Sequence, residues 1–220
     1  GQIVDGDLRE LDSGFTEFNG LGVLAEDRVV TIAASWEKST AIYALASDGS
    51  SEQLSDPDSL PITSEDVSVP QPIVVPDPQG QPTYAFHFPP TNSSCFSSSG
   101  LPPLLVLSHG GPTGAARSSF DAGIQYWTNR GVAVVDVNYR GSTGFGTAYR
   151  DKLKGQWGIV DTEDCIGAAK YLADSGTVDP ESLAIKGGSA GGFTTLCALT
   201  NSDLFAAGIS RYGVADLASS

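Results

Sequence analysis

Ser189 is the residue whose setting most clearly predicts chemistry. It lies in the sequence G-G-S-A-G-G, after an apolar run with strand character at 183–185 and before a segment with helical spacing that begins at Ala190. A strand, a sharp G-x-S-x-G turn and a helix form a nucleophile elbow, which lifts a serine hydroxyl clear of a sheet. Glycines on both sides remove the Cβ atoms that would clash in so tight a turn. The alternative is a turn that only joins strand to helix, and 26 glycines in the chain keep that alternative open.

A second glycine-rich turn, H-G-G-P at 109–112, follows another apolar run and begins 80 residues before Ser189. Such a turn leaves main-chain N–H groups without strand partners, so the N–H of Gly111 and that of Ala190 would form a two-donor oxyanion hole. Losing one donor of this kind typically costs about 3–4 kcal/mol of transition-state stabilisation. The alternative is a tight turn that needs a positive φ, but its pairing with the elbow favours the catalytic interpretation.

The chain has only two histidines, His87 and His109, and neither is expected to be a general base. In hydrolases with this elbow the order along the chain is serine, acid, histidine, so the base should follow Ser189. His109 and Gly110 are therefore predicted to shape the oxyanion turn. His87 falls in a predicted strand and is expected to be structural.

The segment N-Y-R-G-S-T-G-F-G at 138–146 also follows a predicted strand. Its glycines, together with Tyr139 and Arg140, could line a pocket beside the turn at 109–112. Arg140 could instead be a structural ion-pair partner of Asp161 or Asp164, and this alternative is favoured.

Composition limits the classes of partner. The 220 residues carry a formal charge of −14, which argues against nucleic acid and anionic membrane surfaces. The three cysteines, Cys95, Cys165 and Cys197, are too few and too scattered for a disulfide scaffold or a zinc site, so no metal or cofactor is predicted. Free thiols favour a cytoplasmic location. The oligomeric state is not predicted.

The charge divides the chain into two parts. Residues 1–80 hold 15 acidic and 3 basic residues, whereas residues 81–220 hold 11 and 9. This difference suggests two modules. In the first part, short strands alternate with tight turns over 20–55, as in one blade of a β-propeller, although any small β-meander would have the same pattern. Residues 55–82 are predicted to be a linker with one strand at 67–75.

In the second part, strands and helices alternate. The predicted strands lie at 84–88, 104–107, 132–137, 183–185 and 206–210, and the predicted helices at 115–129, 161–173 and 190–200. This pattern predicts an α/β fold with a mostly parallel sheet in three layers. The carboxyl ends of parallel strands share one edge of the sheet, where such folds bind ligands. His109 and Ser189 both follow such ends.

Four motifs occur in order: L-L-V-L-S-H-G-G-P, V-V-D-V-N-Y-R-G-S-T-G-F-G, W-G-I-V-D-T-E-D and G-G-S-A-G-G. Together they resemble the prolyl oligopeptidase family of serine peptidases over roughly residues 80–220. H-G-G-P is most similar to the acylaminoacyl-peptidase and dipeptidyl-peptidase-like branch, since the oligopeptidase branches have a tyrosine where His109 stands. The resemblance implies Ser189 as the nucleophile and the N–H groups of Ala190 and Gly111 as oxyanion donors.

The same resemblance implies a domain layout. Residues 1–65 would be the last blade of an N-terminal β-propeller with its linker, and residues 66–220 the N-terminal half of an α/β-hydrolase domain. The triad Asp and His would lie beyond residue 220, because no histidine follows Ser189 and Asp216 comes too soon after its strand. The chain is thus expected to be a fragment with little activity by itself.

The predicted function is a serine peptidase that hydrolyses short peptides through an acyl-enzyme. Two alternatives stay open at this point. The first is a carboxylesterase on the same fold, although an upstream propeller blade favours a peptidase. The second is a hydrolase-fold interaction module without catalytic activity, which the missing histidine permits.

Overall fold

A computed structural model describes residues 2–25, 27–56, 62–76, 80–95 and 100–216. The chain divides into two compact units, one of Gly1–Ser64 with Ser118–Ala122 and one of Glu65–Arg117 with Gly123–Ser220. Within the described ranges, no helix has the length and apolar character needed to cross a membrane.

The first unit is built from antiparallel strands. Its elements are the hairpin β1 (Gln2–Val4) and β2 (Asp7–Arg9), then β3 (Glu17–Ala25), β4 (Arg28–Ala34), β5 (Ala41–Ala46) and β6 (Ser51–Gln53). The last four form a meander in the order β3-β4-β5-β6. Phe15 packs on Tyr43, with ring centroids 4.5 Å apart, over Ala33, Ala41 and Leu45.

β3 begins at Glu17, before the stretch 20–55 over which strands were predicted. The strand continues through Gly20, which has a φ of +62° and lies at a register shift against β4. Such a bulge interrupts the alternation of apolar and polar residues from which strands are predicted. The sequence pattern therefore showed only the part of β3 beyond the bulge.

The second unit has a six-stranded mixed sheet, and the predicted α/β class is confirmed. Its strands are β7 (Gln71–Pro76), β8 (Pro82–Phe88), β9 (Leu104–Ser108), β10 (Ala133–Asn138), β11 (Leu183–Gly188) and β12 (Ala207–Arg211). The order across the sheet is β12-β11-β9-β10-β8-β7. The four strands from β12 to β10 are parallel, and β8 and β7 extend the sheet with antiparallel pairings.

Helices cover both faces of this sheet. They are α1 (Ala122–Thr128), α2 (Thr147–Arg150), α3 (Val160–Asp174) and α4 (Ala190–Asn201), with 3-10 turns at Ser64–Asp66 and Asp151–Leu153. On one face, Cys165 of α3 and Ala198 of α4 pack in a core with Val106 and Val135. On the other face, Ile124 of α1 belongs to a core with strands β8, β9 and β10. The second unit thus has three layers.

Two elements are shorter than predicted, and a buried carboxamide binds the backbone in each segment that is lost. The helix predicted over 115–129 is formed only over Ala122–Thr128, and before it the side chain of Asn138 accepts a hydrogen bond of 2.8 Å from the Ala116 N–H. The strand predicted over 67–75 begins only at Gln71, because the side chain of Gln125 binds both the N–H and the C=O of Ser68, at 2.7 and 3.1 Å. Backbone groups bonded in this way cannot join a ladder.

Candidate active site

The turn from β11 to α4 carries Ser189 in a strained conformation. Ser189 has φ 56° and ψ −121° at the N-cap of α4, and positive φ is uncommon for a residue other than glycine. Its side chain is exposed, and the hydroxyl has no hydrogen-bond partner among the described residues. A Cβ on Gly187 would lie 2.1 Å from the carbonyl oxygen of Gly191, and one on Gly191 would lie 2.0 Å from that of Ser108. The turn therefore needs glycine at both places.

The main chain on each side of Ser189 is held by hydrogen bonds. The Ser189 N–H donates to the carbonyl of Arg211 at 3.0 Å. The Ser189 carbonyl accepts from the N–H groups of Gly192 and Phe193, at 3.0 and 3.2 Å. Strained conformations persist only where the surrounding structure determines them, and these bonds to β12 and α4 supply that constraint.

The turn at 109–112 lies beside this elbow because β9 is the parallel neighbour of β11. In their register Ser108 is opposite Gly187, so the chain leaves both strands at the same edge of the sheet. A Cβ on Gly110 would lie 3.5 Å from the Cβ of Ser189 and 3.1 Å from the carbonyl oxygen of Gly188. A methyl group on Gly110 would therefore be in van der Waals contact with Ser189, so the two residues are close neighbours.

The two predicted oxyanion donors have unused N–H groups. Gly111 adopts a φ of +62° and is exposed. In the part of the chain that the structure describes, neither the Gly111 N–H nor the Ala190 N–H has a hydrogen-bond acceptor. Such groups beside an exposed serine hydroxyl are available to a carbonyl oxygen that gains negative charge.

The His109 ring is engaged at both nitrogens. Nδ1 lies 3.1 Å from the carbonyl oxygen of Gly110, and Nε2 lies 2.7 Å from the hydroxyl of Ser142. The Ser142 hydroxyl also donates its single proton to the carbonyl oxygen of Tyr139 at 2.8 Å, so it joins the His109 ring to the main chain of Tyr139. Burial lowers the pKa of His109, and the hydrogen bond to Gly110 opposes that shift only in part. The ring is thus neutral at pH 7 and contacts the turn, and its role in shaping the oxyanion geometry stays a prediction.

Tyr139 contacts the same turn from the interior of the protein. Its ring is fully buried and stacks on the ring of His109, with centroids 4.2 Å apart and planes 16° apart. The Tyr139 hydroxyl donates to the His109 carbonyl at 3.1 Å. Burial raises the pKa of this phenol, so it remains a neutral donor. Tyr139 therefore contacts the turn and lies away from its exposed surface.

Arg140 points to α3. Its Nε donates to both carboxylate oxygens of Asp164, at 2.9 and 3.1 Å, and its guanidinium also binds Glu163 at 3.0 Å. Burial alone would lower the pKa of Arg140, but the hydrogen bonds and negative charge of these carboxylates raise it overall. Of the two suggested partners, the structure selects Asp164, whereas Asp161 binds the Gly158 N–H and the Thr194 hydroxyl. Arg140 is thus a structural ion-pair partner.

His87 is a buried residue of β8, opposite Val135 of β10 and Gln71 of β7. Its Nε2 atom has no hydrogen-bond partner within the described ranges, and burial lowers the pKa of its ring. This position in the sheet agrees with the structural role expected for it.

Sequence reasoning missed three residues near the site. Ser142 is fully buried and bonded to His109, and Asn138 holds the segment that follows the turn. Tyr212 follows β12 with a φ of 43°, and its hydroxyl would lie 3.1 Å from a Cβ on Gly188. Ser142 and Asn138 belong to the segment 138–146, which was expected to lie beside the turn. The sequence pattern did not distinguish these two residues from their neighbours.

Comparison with known proteins shows that this α/β unit is similar in sequence to parts of known peptidases. A sequence model of the prolyl oligopeptidase family matches residues 118–220. Dipeptidyl aminopeptidase BIII of Pseudoxanthomonas mexicana is 42% identical over 118 residues, which are 52% of this chain and 17% of that protein. The acylamino-acid-releasing enzyme of Arabidopsis thaliana is 35% identical over 118 residues, which are 53% of this chain and 15% of that enzyme.

A solved structure extends the similarity over nearly the whole chain. The puromycin-hydrolyzing peptidase of Mycobacterium tuberculosis has a TM-score of 0.92 and 41% identity, with 97% of this chain and 33% of that chain covered. The resemblance predicted from the four motifs is thereby confirmed: residues 118–220 match the prolyl oligopeptidase family, and the chain is similar to peptidases of that kind. The matched part spans about a sixth of the length of the curated relatives, 17% in the first case.

Proposed function

We propose that this chain supplies the nucleophile of a serine peptidase that hydrolyses short peptides through an acyl-enzyme. One observation carries the proposal: an exposed Ser189 in a strained turn, close to Gly110, beside two N–H groups with no acceptor among the described residues. The peptidase activity of relatives such as dipeptidyl aminopeptidase BIII supports the choice of an amide substrate.

Each residue has a role in the proposed mechanism. The Ser189 oxygen attacks the carbonyl carbon of the scissile amide, and the carbonyl oxygen becomes an oxyanion between the N–H groups of Gly111 and Ala190. The amine then leaves with a proton, and water hydrolyses the ester that remains on Ser189. Gly110 leaves room for the substrate carbonyl, while His109 and Tyr139 hold the turn.

The proton of Ser189 needs an acceptor that these residues do not provide. No histidine follows Ser189 in the sequence, and both nitrogens of His109 are already engaged. A serine hydroxyl is a weak nucleophile without an adjacent base. We therefore propose that residues 1–220 have little or no activity alone, and that the triad Asp and His belong to other residues of the complete protein.

The domain layout is part of the proposal. Residues 1–65 would be the last blade of a β-propeller with its linker, and residues 66–220 the N-terminal half of an α/β-hydrolase domain. The four-stranded meander of the first unit supports a blade, because a blade has four antiparallel strands. The partners would be short peptides, with neither nucleic acid nor membrane surfaces. Three free cysteines support a cytoplasmic location.

Labelling with a fluorophosphonate probe tests the nucleophile. In the complete protein that carries these residues, we expect rapid labelling that Ser189→Ala abolishes. Ser175→Ala is the matched control, because this serine caps the end of α3 by donating to Leu172. Labelling that survives in Ser189→Ala would overturn the proposal. Rapid labelling of residues 1–220 alone would overturn only the need for an outside base.

Substrate comparison separates the peptidase from the esterase. We expect the complete protein to hydrolyse aminoacyl or N-acyl-aminoacyl amides as well as the matching p-nitrophenyl esters, which react faster because they have a better leaving group. Cleavage of the esters alone would favour a carboxylesterase, and cleavage of neither would favour an interaction module.

A further inference from the structure

We propose that Asn138 and Ser142 are positioning residues that hold the oxyanion turn in its working geometry. The inference rests on the proposed function, because it assigns a task to two residues that would touch neither substrate nor reacting atoms. Asn138 is the last residue of β10, the other parallel neighbour of β9, and Ser142 lies in the loop that follows it. We call residues 138–143 the clamp loop.

The turn itself cannot fix its own conformation. Gly110 and Gly111 have no side chains, and a Cβ on Gly111 would find nothing within 4 Å. Glycine loses more conformational freedom on ordering than any other residue. The position of the Gly111 N–H must therefore be set by the segments on either side of the glycines.

On the near side, the clamp loop holds His109. The Ser142 hydroxyl is fully buried and lies 2.7 Å from Nε2 of the ring and 2.8 Å from the carbonyl oxygen of Tyr139. The ring nitrogen on the other side contacts the Gly110 carbonyl at 3.1 Å. A chain of contacts thus runs from Ser142 through the imidazole to the peptide unit that joins Gly110 to Gly111.

On the far side, the clamp loop holds the segment that leaves the turn. The Asn138 side chain is 2% exposed and accepts the Ala116 N–H at 2.8 Å, while its amide group faces the Ala116 carbonyl at 3.5 Å. The Thr143 N–H donates to the carbonyl of Gly114 at 2.9 Å. The segment that leaves the turn packs closely against the turn itself, because a Cβ on Gly114 would lie 2.6 Å from the carbonyl oxygen of Gly110.

The two glycines are therefore held between two anchored segments. Oxyanion donors act through preorganisation, and a displacement of about 1 Å at an active site can cost on the order of 100-fold in rate. Because the negative charge develops only on the way to the tetrahedral intermediate and is absent from the bound substrate, loss of the donors' alignment lowers kcat and leaves KM nearly unchanged. A residue that served only the stability of the fold would not have this kinetic signature.

The test uses the complete protein and an aminoacyl amide substrate. Ser142→Ala removes one oxygen atom and leaves the Asn138 contacts in place. Asn138→Asp keeps the shape and the acceptor for the Ala116 N–H but turns an acceptor towards the Ala116 carbonyl. We expect each variant to lower kcat roughly 10- to 100-fold with KM within about twofold of wild type.

Two control variants make the same substitutions, Ser to Ala and Asn to Asp, at positions away from the turn. Ser175→Ala deletes a hydroxyl bonded to Leu172, and Asn129→Asp alters a carboxamide that donates to the Asp66 carbonyl at 2.6 Å. Both should keep kcat within about twofold of wild type. Thermal unfolding of all four variants shows whether a fall in kcat merely follows a loss of stability.

The outcomes separate the two proposals. If Ser189→Ala stays active, the proposed function fails. If Ser189→Ala is inactive but Ser142→Ala and Asn138→Asp keep the kcat of their controls, or raise KM instead of lowering kcat, the clamp inference fails alone. If Asn138→Asp does not fold, Ser142→Ala decides. Faster amide hydrogen exchange over 109–114 in Ser142→Ala would add support, and unchanged exchange with unchanged kcat would overturn the inference.

Discussion

Gly110 lies against Ser189 so closely that a single methyl group on Gly110 would come within 3.5 Å of the Ser189 Cβ. The same methyl group would lie 3.1 Å from the Gly188 carbonyl oxygen, a separation at which one of the two segments must move. This close approach joins the two turns that follow β9 and β11, and it leads to the first prediction.

Gly110→Ala should damage catalysis more than stability. We expect kcat/KM of the complete protein to fall by about 10²-fold, since the methyl group displaces either the serine or the oxyanion turn. Gly167→Ala is the matched control, because a Cβ on this α3 glycine would meet nothing within 4 Å. The control should keep full activity and gain about 0.5–1 kcal/mol in free energy of unfolding. Full activity in Gly110→Ala would contradict this close approach.

Breaking the pair of Arg140 and Asp164 should destabilise the α/β unit strongly. The Asp164 side chain is 1% exposed and that of Arg140 is 12% exposed, so Asp164→Asn leaves a largely buried positive charge without its main partner. We expect a loss of about 3–5 kcal/mol in free energy of unfolding, measured by urea denaturation. Glu163→Gln is the control, because the Glu163 side chain is 61% exposed and should cost less than about 1 kcal/mol. Equal losses in the two variants would refute this account.

The stability of the chain should fall on mild acidification because of His87. Burial lowers the pKa of this ring below its unfolded value of 6.5, so the unfolded chain binds more protons. The stabilising effect of the neutral ring is complete above pH 6.5 and is lost as the pH falls below it, by at most about 1.4 kcal/mol per pH unit.

His87→Leu should therefore show a smaller loss of stability than wild type between pH 7 and pH 5 in urea denaturation. Burial raises the pKa of the Asp161 carboxyl, which acts in the opposite direction, so the informative quantity is the difference between the two proteins. Burial also lowers the pKa of His109, but this effect on stability is the same in wild type and in His87→Leu, so it cancels in the difference. Parallel pH profiles would show that His87 is not held neutral.

The three thiols should react at separate rates. Cys95 is exposed, Cys197 is half-buried and Cys165 is fully buried, and burial also raises the pKa of the last two. Since the thiolate is the reactive form, we expect Ellman's reagent to modify Cys95 first and Cys165 only on unfolding. Peptide mapping after timed quenching gives the order, and early modification of Cys165 would contradict the packing of α3.

The sequence by itself determined those features that depend on local backbone geometry. Gly187 and Gly191 are required because any side chain would collide with nearby backbone, and this requirement is visible as the G-x-S-x-G pattern. The alternation of apolar runs with helical periods likewise predicted the α/β class and put Ser189 and His109 after neighbouring strands. The propeller blade and the domain limits remain predictions.

Tertiary structure alone decided which distant groups meet. Whether Arg140 pairs with Asp161 or Asp164 depends on how α3 lies against the end of β10, and both residues are on that helix. The helix predicted from residue 115 begins at Ala122, and before it the Ala116 N–H donates to Asn138, a side chain 22 positions away. Hydrogen-bond partners of this kind are chosen by packing across the sheet, and no local pattern in the sequence records them.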